Sequence, residues 1–138
     1  MNVLSRISLG IGLLLLAGSA SAIDTSNPIL CASLNVNECV DGPGCKEVLA
    51  EEVDAPTFFR IDMKKMEIRV TKDARPTKIE LSESLEGRIV IQGIEDGNPD
   101  VDDGTGWTIS IEEDTGRMVA TAAIRQGAVV IFGACTEQ

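Results

Sequence analysis

Residues 106–122 read GWTISIEEDTGRMVATA, and their alternation decides the fold. Trp107, Ile109 and Ile111 alternate with Thr108, Ser110 and Glu112, a period of two that places the apolar set on one face of an extended strand. A four-residue turn, Glu113-Asp114-Thr115-Gly116, sets Ile111 opposite Met118, Ile109 opposite Ala120 and Trp107 opposite Ala122. Glu112 and Arg117 then meet on the outside, so each face of the hairpin agrees with itself.

The same alternation runs outward in both directions. Phe59, Ile61 and Met63, then Met66, Ile68 and Val70, form a second hairpin in which Met63 faces Met66, Ile61 faces Ile68 and Phe59 faces Val70. A one-residue slip would bury charge, so the register is strongly specified. Ile79 with Leu81, and Ile89 with Ile91, mark two short strands separated by a polar turn over residues 82–87. After Trp107 to Ala122, Gln126-Gly127 turns the chain so that Ile124 pairs with Val129 and Ala122 with Ile131. Val130 and Phe132 then point outward, and a cover is required: the segment 29–34, a partner subunit or a ligand, the first being the simplest. Residues 46–53 allow a helical turn or two stopped by Pro56, or a short strand followed by a turn. The expected fold is all-β: an antiparallel meander of about seven or eight strands, disulfide-stapled, in a small closed barrel or flattened roll.

Residues 1–22 carry Arg6, an apolar run over 7–17 and an Ala20-Ser21-Ala22 ending, the layout of a cleavable signal peptide. Residues 23–138 are then a single domain of 116 residues, periplasmic or secreted from a Gram-negative bacterium, with no membrane insertion after cleavage. Hydrophobic residues at 43% and charged residues at 25% are ordinary globular values that exclude disorder. After residue 22 the chain has 11 basic and 22 acidic residues, a net charge near −11. With Lys and Arg scattered singly among carboxylates, nucleic acid is excluded as a partner, and an electrostatic partner is a cation or a basic protein.

Four cysteines in a short exported chain read as two disulfides. Of three connectivities, Cys39–Cys45 closes a loop of turn-forming residues 40–44 and leaves Cys31 to tie the start of the fold to Cys135. Cysteine metal binding is the rival, disfavoured by spacings that are not two CxxC pairs and by the absence of histidine.

The spacing of Cys31, Cys39 and Cys45, the Pro56-x-Phe58-Phe59-Arg60-Ile61-Asp62 segment, Gly106-Trp107-x-Ile109-x-Ile111 with Thr115-Gly116-x-Met118, and the Phe132-Gly133-Ala134-Cys135 ending resemble a group of small exported proteobacterial proteins of unknown function. That resemblance implies export and an all-β fold, and no activity.

Histidine and tyrosine are absent, which removes Ser-His-Asp and Cys-His nucleophile systems and imidazole-based zinc sites. Asp114-Thr115-Gly116 is the tripeptide of aspartic proteases, whose paired aspartates activate water. Here charged neighbours flank the aspartate and little chain follows it, so a hairpin turn is the expected reading. No two of the 22 acids stand out as a glycosidase pair. The acidic stretch 94–105 places Asp96, Asn98, Asp100 and Asp102 at every second residue, as oxygen ligands of a calcium loop, although Val101 and Trp107 depart from the EF-hand pattern at positions six and twelve. Sequence thus leads to a monomeric, non-enzymatic acidic binding or structural module without cofactor. Calcium at the 94–105 loop, a small ligand inside the barrel, or a basic envelope enzyme to be inhibited are the alternatives.

Overall fold

The computed structural model describes residues 22–95 and 104–138. Among the described residues, ten strands form one antiparallel sheet: β1 (Ile29–Val40), β2 (Gly44–Val48), β3 (Phe58–Asp62), β4 (Glu67–Arg69), β5 (Thr77–Lys78), β6 (Leu81–Leu85), β7 (Arg88–Glu95), β8 (Thr105–Glu112), β9 (Arg117–Ile124) and β10 (Gly127–Glu137). A 3-10 turn at Ala50–Val53 follows β2, so the ambiguous stretch 46–53 is part strand and part helical turn. The strand order is β5-β4-β3-β1-β10-β9-β8-β7-β6, with β2 on the second half of β1. β6 to β10 are the expected meander, but β1 sits between β3 and β10 instead of following chain order.

The sheet curls so that its two ends, β5 and β6, are successive in the chain. At the corner between them the Ile79 N–H donates to the Met66 carbonyl and the Glu80 N–H to the Gln92 carbonyl, each at 2.8 Å. One covalent corner therefore ties the edges, and the architecture is an open curled roll. Changing neighbours from β4 to β7 at this corner also breaks the alternation of side chains. Ile79 is buried while Leu81, expected on the same face, points out, and Ser82 stands opposite the buried Ile91. The polar turn expected over 82–87 is in fact strand up to Leu85, closed by Glu86 and Gly87 at φ 53° and 75°, the paired positive angles of a tight two-residue hairpin turn.

The β8–β9 hairpin has the expected register, Ile111↔Met118, Ile109↔Ala120 and Trp107↔Ala122, and Arg117 binds Glu112 at 3.0 Å. In the β3–β4 hairpin Ile61 faces Ile68, but the ladder stops at Arg60↔Arg69, leaving Val70 49% exposed where an inward position facing Phe59 was expected. Between β9 and β10 the register differs by two residues from expectation. Gly127 pairs with Ile124, Ala122 with Val129 and Ala120 with Ile131, because the turn is Arg125-Gln126. A two-residue shift preserves which face each side chain occupies, so the hydrophobic pattern could not distinguish the alternatives.

Nine of the fifteen buried hydrophobic residues are isoleucine, and no polar or charged residue is buried among the described residues. β-branched side chains with restricted rotamers fill the interior at little entropic cost. Toward one end of the roll, Trp107 lies across Gly93, its cross-strand partner. A Cβ on Gly93 would overlap the Trp107 ring and come 2.6 Å from the Lys78 carbonyl oxygen at the corner. Among the described residues the buried Trp107 Nε1–H has no hydrogen-bond partner. Gly93→Ala is therefore expected to destabilise the fold by about 2–3 kcal/mol through overpacking. Because Trp107 is the single tryptophan, the same substitution should shift native emission to the red; wild-type emission with a wild-type urea midpoint would refute the contact.

Candidate functional site

The two disulfides are Cys31–Cys135 and Cys39–Cys45, with no free cysteine. Each joins directly opposed residues on paired strands, at Cα separations of 4.0 and 3.9 Å. Cys31–Cys135 is an inner-face staple and Cys31 is fully buried. All four cysteines are thereby structural.

Asp114 lies exposed in the β8–β9 turn, where the Gly116 N–H donates to the Glu112 carbonyl at 2.9 Å and Gly116 adopts φ 69°. The charged centre of this turn is Glu112. Its carboxylate accepts from the Thr115 hydroxyl at 2.8 Å and from Arg117 Nε at 3.0 Å, and pairs with Arg88 at 3.2 Å. The Thr115 hydroxyl first, then Arg117, hold the Glu112 carboxyl below the usual carboxylate range. Thr115 and Gly116 of the protease-like tripeptide thus serve the turn. Among the described residues no group of three or more Cys, Asp or Glu side chains is placed to hold a metal. Asp96, Asn98, Asp100 and Asp102 fall outside the described residues. β7 runs to Glu95 and β8 begins at Thr105, and these two residues pair, so the connection is shorter at both ends than the stretch 94–105.

β1 does not cover Val130 and Phe132. It lies beside β10 in the sheet, Asn37 opposite Val130 and Asn35 opposite Phe132, and Phe132 remains 47% exposed. These two residues belong to a part of the outer face whose cross-strand rows are uncharged over five strands, bounded on one side by Arg88, Glu112 and Arg117. One cross-strand row runs Gln92, Thr108, Thr121, Val130, Asn37, and its neighbour runs Val90, Ser110, Val119, Phe132, Asn35. A third begins at Ile94 and passes Gly106, Ala123 and Ala128. Where the small residues of the third row adjoin Thr108 and Thr121, the outer face dips into a trough of about 550 Å³ walled by Glu80, Leu81 and Ile94. Sequence reasoning located Val130 and Phe132 but not the trough, because its floor is made of residues too small to register in a hydrophobic pattern.

A second depression, of about 300 Å³, lies on the outside of β3 and β4, lined by Leu30, Phe58, Arg60, Arg69, Val70 and Lys72 among others. Arg60 and Arg69 are directly opposed, an arrangement in which like charges destabilise a sheet. Arg69 is compensated by Glu67 at 3.0 Å and by the Ala74 carbonyl at 3.3 Å, and its hydrogen bond to Glu67 raises its pKa further above the guanidinium norm. Arg60 and Lys72 have no ion-pair or hydrogen-bond partner among the described residues. The basic groups are also less scattered than expected. Seven of the 12 Lys and Arg residues lie between residues 60 and 78, with only three acids, against a net charge of −10 for the whole chain. This site was legible by alternation: with Phe59 and Ile61 inward, Phe58 and Arg60 must share the outer face.

No helix among the described residues is long and apolar enough to cross a membrane. In comparisons with known proteins the chain matches no family model, no curated protein and no solved structure.

Proposed function

We propose that the protein is a non-enzymatic binding module of the periplasm or extracellular space that holds an uncharged ligand on the outside of its roll. The observation carrying this reading is the contrast between the two faces. The inner face is filled by isoleucine, whereas the outer face offers a trough of about 550 Å³ whose single charged lining residue among those described, Glu80, is paired with Lys78 at 3.0 Å, within the roughly 300–1,000 Å³ typical of small-molecule sites. In a chain with 25% charged residues, two uncharged rows running across five strands favour an uncharged partner, because contact there desolvates few ions. Two cross-strand disulfides suit an oxidising compartment, and the signal-like residues 1–22 support export.

The test uses 1-N-phenylnaphthylamine, an uncharged apolar fluorophore, with the mature protein. Saturable binding is expected, and Thr121→Arg, which places a cation in the trough from an exposed position, should weaken it about tenfold or more through desolvation of the guanidinium. Ile91→Val, which opens space only in the core, should leave affinity unchanged. Absence of binding in the wild type, or sensitivity to Ile91→Val but not to Thr121→Arg, would overturn the external site.

A further inference from the structure

The depression on β3 and β4 combines two features found together nowhere else among the described residues: large exposed hydrophobic side chains and uncompensated cations. Phe58 is 56% and Val70 49% exposed, and both line the same groove as Arg60 and Lys72. Leu30 on β1 stands directly opposite Arg60, so the guanidinium lies with apolar surface on one side and the Arg69 guanidinium on the other. Only Arg69 has its charge balanced, by Glu67. The missing counter-charge for Arg60 is therefore an anion, and the missing cover for Phe58 and Val70 is hydrocarbon.

We propose that this groove binds the free monomer of a single-chain anionic amphiphile, with its carboxylate, sulfate or phosphate head on Arg60 and Lys72 and its chain along Phe58, Val70 and Leu30. A planar guanidinium with unused donors is well suited to such oxyanions, and neutralising it removes the like-charge opposition with Arg69. Charge distribution selects the site. Residues 60–78 carry seven basic and three acidic groups while the remainder of the chain carries five basic and nineteen acidic, so an anion is repelled by the protein except over this arm. The same negative remainder opposes docking on an anionic membrane surface. A groove of about 300 Å³ lies at the small end of ligand sites and suits one chain better than two.

The experiment measures binding of dodecanoate, kept below its micellar concentration, by titration calorimetry, beside dodecyl maltoside and dodecyltrimethylammonium as uncharged and cationic controls. One-to-one binding of dodecanoate is expected, weakening as salt is raised, and Arg60→Gln should lower affinity about tenfold, the scale of a lost charge-assisted contact. Arg60→Lys should recover part of that loss, and saturating 1-N-phenylnaphthylamine should not compete with dodecanoate, which separates this site from the outer trough. Because Arg60 is exposed and without a partner among the described residues, the melting temperature of Arg60→Gln should equal or exceed that of the wild type. Equal binding of dodecyl maltoside while 1-N-phenylnaphthylamine saturates the outer trough, or undiminished dodecanoate binding in Arg60→Gln, would overturn the proposal. So would binding to phosphatidylglycerol vesicles without binding to free dodecanoate, which would assign the arm to a membrane surface.

Discussion

Replacing Cys31 and Cys135 together by alanine is expected to lower stability by about 4–5 kcal/mol, the chain-entropy value for a loop of about 100 residues. The bridge spans a sequence separation of 104, so without it the unfolded chain recovers most of its end-to-end freedom. Cys31 is also fully buried, and alanine at that point leaves unfilled volume that adds to the loss. For a domain whose total stability is of the order of 5–15 kcal/mol, the variant would stand close to its melting point at physiological temperature. Cys39→Ala with Cys45→Ala should cost only about 2 kcal/mol, because that bridge closes a separation of six. Urea titrations of both double variants check the order. A short-loop variant as unstable as the long-loop one would show that local geometry, and not chain entropy, governs the contribution.

The second large effect is expected at Gly116. Its φ of 69° disfavours any residue with a Cβ by about 1–2 kcal/mol, and a Cβ there would overlap the Cys135 carbonyl oxygen. The Cys135 N–H meanwhile donates to the Gly116 carbonyl at 2.8 Å, so the backbone cannot move aside without loosening the contact that holds the turn on β10. Gly116→Ala should cost about 3 kcal/mol or more, combining the angle with overpacking. Asp114→Asn, two residues earlier and exposed, should leave the melting midpoint within about 0.5 kcal/mol of wild type. If instead the aspartate proved the sensitive position, the turn would not explain the tripeptide. Because Gly116 and the long disulfide both act through Cys135, their effects should fall short of additive when combined.

Elements in which one face is apolar and the other polar could be read from sequence down to individual pairs. The β8–β9 hairpin is the clearest case, since a register slip of one residue would bury Glu112 or Arg117. Disulfide pairing was also legible, because turn-forming residues isolate Cys39 and Cys45 and leave a single partner for Cys31. What escaped were features set by contacts distant in sequence. The β9–β10 register admits a two-residue shift that the pattern does not penalise. Ser82 to Leu85 lack inward apolar residues because the corner at Ile79 and Glu80 has already turned the chain, and nothing local announces that corner. The position of β1 between β3 and β10 follows from long-range pairing, which periodicity does not encode. Of the candidate sites, Phe132 was visible as an apolar residue in need of cover. The opposition of Arg60 and Arg69 follows from the expected facing of Ile61 and Ile68, whereas the lack of an ion-pair partner for Arg60 among the described residues depends on side-chain placement that alternation does not encode.

β1 pairs with β10 from Ile29↔Glu137 to Val40↔Gly127, and those partners are separated by 108 and 87 residues. A chain delivered from its amino terminus therefore presents β1 long before its main neighbour exists. Until β10 arrives, the edge of β1 that does not face β2 and β3 is an unsatisfied row of amides and Cys31 is a thiol without its mate. Pairings of such range are slow to form. The topology thus delays closure of the sheet between β1 and β9 until synthesis has reached the last strand.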